Sequence, residues 1–277
     1  MINYKVSNLD LLNNYLSLYK KCFPGFKKNI EYFRWLYKAN PMGNYIGIDV
    51  FDGDNLIGQI GGIPYDFKFY KNKLRTIVSI NICIDKPYRG GQIFHKLSSN
   101  FEKLLIDKNY DLLIAIGNKM ATPAWIRSLN MKKLGELKSY LGLCDFSKID
   151  VKLKDYNLFM DWQLDTIKWR CSNPIKKTQL IKCKNKKLIF AKTDIPLINA
   201  YTVFPYDINH EIKNFNIDLH LKTYIGLCNE INDSFFFRKI PQILKPSPLN
   251  FLYKFLKKDY DLKESEVFFS FLDFDAF

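Results

Sequence analysis

Residues 78–116 constrain this chain more than any other stretch, because their periodicity changes twice around a pair of glycines. Val78, Ile80, Ile82 and Ile84 alternate with Ser79, Asn81, Cys83 and Asp85, the period of two expected of a strand with one buried face. Ile93, Phe94, Leu97, Phe101, Leu104 and Leu105 then fall at helical spacing. Lys108 and Asn109 break that helix, and Leu112, Leu113, Ile114, Ala115 and Ile116 form a continuous apolar run, as in a strand covered on both faces. The pattern predicts a strand–helix–strand crossover, with Arg89-Gly90-Gly91 at the turn into the helix. A helix N-terminus carries unpaired backbone N–H groups and a partial positive charge, and glycines leave the approach to it open. The turn is therefore a candidate anion site at the carboxyl end of a strand, although two glycines also serve a tight turn that binds nothing.

Length bounds the rest: 277 residues bury one large core or two modest ones. A hydrophobic content of 47% and an aromatic content of 16% exclude a disordered chain. No stretch approaches the roughly 20 apolar residues needed to span a bilayer. The opening MINYKVSNLD lacks the apolar core of a signal peptide, so the expected location is the cytoplasm. Six cysteines contain no C-x-x-C pair and three histidines have no ligand spacing, so no metal site, disulfide framework or Cys-His nucleophile pair is expected. The net charge of +14 suits an anionic partner such as a coenzyme, a nucleotide-linked sugar, a nucleic acid or an acidic membrane. It also follows from a composition rich in Lys, Asn, Ile, Phe and Tyr throughout. The densest basic run, KCKNKK at Lys182–Lys187, reads as a hairpin tip and gives little support to a nucleic-acid surface.

The chain also echoes itself. Trp35 is followed by Asn40-Pro41, a strand over Tyr45–Phe51, the turn Asp52-Gly53-Asp54-Asn55, and the strand LIGQIGGIP ending at Pro64. Trp169 is followed by Asn173-Pro174, TQLIKCK, a polar turn at Asn185-Lys186, and LIFAKTDIP ending at Pro196. Each copy predicts an amphipathic helix leading into a β-hairpin. In the first copy a further hairpin strand, Tyr65–Tyr70, turns at Lys71-Asn72-Lys73 into the strand before the glycines. The second copy has no glycine in the corresponding region before Gly226 and so no equivalent loop, while LKTYIGLC and the closing EVFFSFLDFDAF read as sheet.

A β-meander, a strand with an interrupted edge, an R-G-x turn into a helix and a parallel strand ending in Gly117-Asn118 together resemble the GNAT superfamily of acyl-CoA N-acyltransferases. The resemblance covers about Asn29 to Met131 and lays Pro87-Tyr88-Arg89-Gly90-Gly91-Gln92 over the family's Q/R-x-x-G-x-G/A loop. Pro87 stands where the family has Gln or Arg, and Gln92 where it has a second small residue. The implied fold class is α/β (α+β), a mixed sheet with a βαβ crossover. The doubling is similar to tandem GNAT proteins, with an acyl-CoA-binding half over 1–145 and a degenerate half over 146–277.

The resemblance implies that the backbone amides of Arg89, Gly90, Gly91, Gln92 and Ile93 bind the coenzyme diphosphate. It also implies that Ile82, Cys83 and Ile84 hydrogen-bond the acyl-pantetheine arm, and that Asn118 is a polar group near the thioester. Asp85 is a candidate for the proton work, the alternative and favoured reading being a cap for the turn before Lys86-Pro87. The helix TPAWIRSLNM lacks the tyrosine with which many family members protonate the leaving thiolate; Trp125 there reads as packing. Solvent or a residue of the second half would then serve. Tyr32, Trp35 and Tyr37 are either an acceptor cleft or core. The implied activity is transfer of an acetyl group from acetyl-CoA to a small-molecule primary amine, an amino sugar of surface-polysaccharide assembly being one such acceptor. The alternatives are a FemAB-like aminoacyl-tRNA-dependent transferase and a non-catalytic coenzyme-binding module. Acyl length, acceptor and oligomeric state stay open at this level.

Overall fold

A computed structural model describes residues 1–90, 92–208, 213–214, 220–245 and 247–274. The chain forms two compact units, one of Met1–Asp66, Leu74–Leu134 and Asn250–Tyr260, the other of Phe67–Lys73, Gly135–Leu249 and Asp261–Phe277. The sequence predicts one boundary, between 145 and 146. The observed division differs because a late segment, Asn250–Phe255, pairs antiparallel with Leu112–Gly117 and so belongs to the first unit.

In the first unit the strands β1 (Ile2–Val6), β2 (Ile46–Asp52), β3 (Asn55–Phe69), β4 (Asn72–Ile84) and β5 (Leu112–Gly117) are neighbours in that order, and β6 (Lys132–Glu136) closes the segment. The helices are α1 (Leu12–Cys22), α2 (Ile30–Lys38), α3 (Ile93–Asp107) and α4 (Ala121–Leu129). Asn29 starts α2 by accepting the Tyr32 N–H on its side-chain oxygen at 3.0 Å. Tyr32 and Tyr37 are wholly buried and Trp35 nearly so, which makes that aromatic stripe core. Helix α3 ends where predicted, at Lys108 and a left-handed Asn109 (φ 61°). Between its ends it lays Leu97, Phe101 and Leu105 against Ile57, Ile60, Ile77, Leu113 and Trp125. Strands β4 and β5 are parallel, so α3 is the crossover that the sequence predicts.

Two strand readings change. Strand β3 runs unbroken through Pro64, which the sequence treats as an end. Its register with β2 finishes at Gly62↔Ile46 and its pairing with β8 begins at Phe67↔Met160, so Pro64 falls between the two ladders on that edge. In β4 the predicted apolar face of Val78, Ile80, Ile82 and Ile84 is not one face. Ile77 shares a cluster with Ile82 and Ile84, and Val78 lies outside that cluster. The parity switches at Asn81, whose left-handed backbone (φ 51°) inserts an irregularity into the strand.

The second unit contains β7 (Lys138–Gly142), β8 (Leu158–Met160), α5 (Leu164–Cys171), β9 (Thr178–Cys183), β10 (Lys186–Lys192), β11 (Ile198–Val203), β12 (Lys213–Asn214), β13 (Leu221–Leu227), β14 (Phe237–Lys239) and β16 (Val267–Ser270); β15 is the Asn250–Phe255 strand of the first unit. The internal echo is a repeated local structure. Helix α2 leads into the β2–β3 hairpin, and α5 leads into the β9–β10 hairpin. Asn40 and Asn173 both hold the intervening turn, through the N–H groups of Met42 and of Ile175 and Lys176. Strands β11 and β13 are parallel, as β4 and β5 are. Among the described residues of the closing segment the strand is β16 alone; Ser270 and Asp273 cap a 3₁₀ turn over Phe271–Asp273, and residues 275–277 lie outside the described residues. The architecture is mixed α/β throughout.

Candidate functional site

The register between β4 and β5 starts at Thr76↔Leu112 and stops at Ser79↔Ala115, although both strands continue. Asn81 turns left-handed two residues past the last pair. The backbone of Ile82, Cys83 and Ile84 then runs without a β5 partner, Ile82 and Ile84 half-buried and Cys83 buried. A strand edge released in this way offers amide and carbonyl groups to an extended, amide-bearing ligand.

At the end of β4 the chain is fastened by a short set of bonds. The Asp85 N–H donates to the Ile57 carbonyl at 2.8 Å, and its carboxylate accepts the Lys86 N–H at 2.8 Å, capping the 3₁₀ turn over Lys86–Tyr88. The Tyr88 hydroxyl donates to Asp52 at 3.1 Å. Arg89 is exposed and donates from Nε to the Ile84 carbonyl at 2.8 Å, which directs its side chain back along the strand end. Gly90 is left-handed (φ 85°), and a Cβ built on it would meet nothing within 4 Å, so the approach is open and glycine is required for conformation. Gly91 lies outside the described residues. Gln92 is exposed and makes no side-chain capping bond, so it does not plug the start of α3, and among the described residues no side chain caps the first-turn amides. An open left-handed glycine, uncapped helical amides, an arginine and a released strand edge fit an anionic, amide-bearing coenzyme.

Asn118 has a structural duty. Its side-chain oxygen accepts the N–H groups of Met120 at 3.0 Å and Ala121 at 2.8 Å, and its carbonyl accepts from the Thr122 N–H and hydroxyl. Thr122 in turn accepts from the Asn250 amide at 2.9 Å. Asp85 and Asn118 thus each cap the segment that follows a strand, one after β4 and one after β5. Trp125 is buried and meets Phe94 edge-on, centroids 6.0 Å apart, as packing demands.

Pattern reading missed two groups. Cys22, at the end of α1, is held down to about 7 by the Cys83 thiol and by Arg89, with burial opposing; the Cys83 thiol is pushed up by burial and by Cys22. The other is a buried polar chain. Asp49 on β2 accepts from Ser7 Oγ at 2.7 Å, Tyr15 at 2.7 Å and Gln59 Nε2 at 3.1 Å. Gln59 Oε1 accepts from Tyr19, whose hydroxyl lies 3.1 Å from that of Tyr37, and Tyr37 accepts from Asn81 Nδ2 at 3.3 Å. Burial raises Asp49 above the usual carboxylate range while its donors oppose that rise. The available signal was a polar residue inside each of three apolar strands: Asp49 in IGIDVF, Gln59 in LIGQIGG and Asn81 in VSINICI.

Among the described residues no cluster of three or more His, Cys, Asp or Glu is placed to hold a metal ion. Among them, too, no helix is long and apolar enough to cross a membrane.

A β-meander, a parallel crossover through α3 and the parting of β4 from β5 define the GNAT fold, and this chain has it. It superposes on a conserved protein of Enterococcus faecalis V583 with a TM-score of 0.63 at 8% identity, covering 93% of this chain and 73% of that one. It superposes on a GCN5-related N-acetyltransferase of Anabaena variabilis ATCC 29413 with a TM-score of 0.62 at 12% identity, with the same coverages. In sequence it is 28% identical over 143 residues to an Amsacta moorei entomopoxvirus protein named "Putative glycylpeptide N-tetradecanoyltransferase". That match takes in 50% of this chain and 44% of the viral protein, so less than half of that relative's length is matched. No known protein-family model matches the chain.

Proposed function

We propose that the first unit is an acyl-CoA-dependent N-acyltransferase acting on a small primary amine. The observation that carries this reading is the parting of β4 and β5 after Ser79↔Ala115, directly before the open loop at Gly90. The coenzyme diphosphate sits on the amides from Arg89 to Ile93, Gly91 included, and the pantetheine amides pair with the free edge of Ile82, Cys83 and Ile84. Asp85 and Asn118 hold the ends of the two parted strands.

The chemistry asks little more of the protein. The amine attacks the thioester carbonyl, the tetrahedral oxyanion collapses, and the coenzyme leaves as a thiol whose ordinary pKa is about 8.5. One fixed N–H donor aimed at the oxyanion contributes roughly 2.7–4 kcal/mol, and alignment of the two reactants supplies much of the rest. Acetyl-CoA is the simplest donor; the name of the viral relative adds a tetradecanoyl donor to be tried. An amino sugar of surface-polysaccharide assembly is the acceptor that the basic charge and doubled layout bring forward, in the cytoplasm where both substrates would be met. The second unit is read as a degenerate copy. Its hairpin and parallel pair repeat those of the first, and the described part of its crossover carries no glycine before β13.

Titration with acetyl-CoA and with tetradecanoyl-CoA tests the donor site. Saturable binding is expected for at least one, weakened tenfold or more in Gly90→Val, because a β-branched residue is strongly disfavoured at φ 85°. Absence of binding to both ends the proposal. Binding without thiol release across a broad amine panel would favour the non-catalytic module, and steeply salt-dependent RNA binding would favour the aminoacyl-tRNA reading.

A further inference from the structure

The chain from Asp49 to Asn81 has a direction that elementary hydrogen-bond chemistry sets. A carboxylate only accepts, so Gln59 must turn its NH₂ toward Asp49 and its oxygen away. Tyr19 gives its one proton to that oxygen. It must then accept from Tyr37, 3.1 Å away, which spends the Tyr37 proton in turn. Only a donor is left for Asn81 to offer Tyr37, so the carboxamide is held with Nδ2 inward, at 3.3 Å. Every donor in the series points toward Asp49, and such aligned series polarise their members. The Tyr37 ring is itself pinned by stacking on Tyr45, centroids 4.0 Å apart and planes 10° from parallel.

The other atom of the Asn81 amide is left over. The Tyr45 hydroxyl is the one buried side-chain polar atom without a partner among the described residues. Among the described residues Asn81 Oδ1 has no hydrogen-bond partner, and since it is not a buried unpartnered atom it is reached by solvent, on a half-buried residue two positions past the last β4–β5 pair. A fixed acceptor at that place selects an N–H donor. An amide at Gln59 interrupts any proton relay, so the series orients a group and does not carry a proton to Asp49.

We propose that Asn81 Oδ1 contacts an N–H of the incoming amine, and that Asp49, Gln59, Tyr19 and Tyr37 are positioning residues that keep this oxygen turned toward it. The inference rests on the acyltransferase reading of the same unit and adds to it the residue that receives the acceptor. It requires an acceptor whose nucleophilic nitrogen still bears hydrogen, which is to say a primary or secondary amine.

The test is an NMR titration of the ¹⁵N-labelled full chain, saturated with coenzyme A, using glucosamine and glycinamide as amine probes. The Asn81 side-chain NH₂ signal, assigned by its loss in Asn81→Asp, reports on the site. It is expected to shift saturably with at least one probe. Backbone signals near β4 then report the variants. Asn81→Gly tolerates the left-handed backbone but removes the oxygen, and should weaken the amine at least tenfold. Asn81→Asp keeps an acceptor but cannot donate to Tyr37, and should bind the amine more tightly than Asn81→Gly does. Tyr37→Phe and Asp49→Asn should weaken the amine at least tenfold with coenzyme affinity within twofold of wild type. If coenzyme A fails to bind at all, the acyltransferase reading falls. If it binds while neither amine moves the Asn81 signal, or Asn81→Gly binds amine as well as wild type, the assignment of Asn81 is overturned and the coenzyme reading stands.

Discussion

Ser79 on β4 stands opposite Ala115 on β5, and no register pair joins the two strands beyond them. Two residues later Asn81 turns left-handed, and the facing pattern of β4 changes there from Ile77 to Ile82 and Ile84. The irregularity lies at the point where the two strands part, and it carries the carboxamide that donates to Tyr37. Strand irregularities beside binding sites commonly re-aim a side chain and end pairing in this way.

Asp85 distinguishes capping from catalysis. Asp85→Asn keeps an oxygen for the Lys86 N–H, whereas Asp85→Ala loses it. Urea denaturation should show the alanine variant less stable by about 1 kcal/mol and the asparagine variant close to wild type. Coenzyme thiol release by Asp85→Asn should fall less than tenfold; a loss of a hundredfold or more at unchanged stability would make Asp85 the general base.

Phe101 is wholly buried between α3 and the sheet of the first unit. Truncation to alanine should cost roughly 3–5 kcal/mol, the usual transfer term plus the cavity left behind. The check is a lowered denaturant midpoint. A change below about 1 kcal/mol would mean that α3 does not pack as described.

Cys22 is poised by its neighbours. With its thiol near 7, alkylation by iodoacetamide should rise through a midpoint close to neutral pH. Beside the Cys83 thiol, Arg89 lowers Cys22 through both a hydrogen bond and its charge, so Arg89→Gln should move the midpoint upward. An unshifted midpoint would remove Arg89 from the environment of Cys22.

Asp273 carries a pH signature in the second unit. Burial lifts it to about 6, while the Ser270 N–H and the Trp162 Nε1–H, at 2.6 and 2.9 Å, hold against that rise. Its folded pKa exceeds the unfolded one, so the folded state binds the extra proton. The stabilisation is fully present below about pH 4 and is lost as pH rises through 6. Relative to Asp273→Asn, the wild type should lose roughly 2 kcal/mol between pH 4 and pH 7. A difference that grows with pH instead would contradict the raised value.

The crossover was legible in residues 78–116 because its signals are local: a period of two, a period near 3.6, and breakers at Arg89-Gly90 and at Lys108-Asn109. The doubled hairpins were legible for the same reason, since each turn residue acts within a few positions of itself. The parity of β4 was not, because Val78, Ile80, Ile82 and Ile84 alternate as cleanly as an unbroken strand would. Only the conformation of Asn81 shows that the alternation crosses from one face to the other. The capping roles of Asp85 and Asn118 lay between these cases, each residue type being suited to a cap and to proton transfer alike.

Local pattern in the chain was enough to set the strand–glycine–helix–strand order and the opening at Gly90, because backbone preference and side-chain periodicity act over a handful of residues. Tertiary structure alone decided which strand covers β5 and what holds Asn81. Those outcomes join Thr122 to Asn250 across 128 residues, Tyr19 to Gln59 across 40 and Tyr37 to Asn81 across 44. A buried carboxylate can be matched with its donors only after the strands and helices bearing them have been packed together.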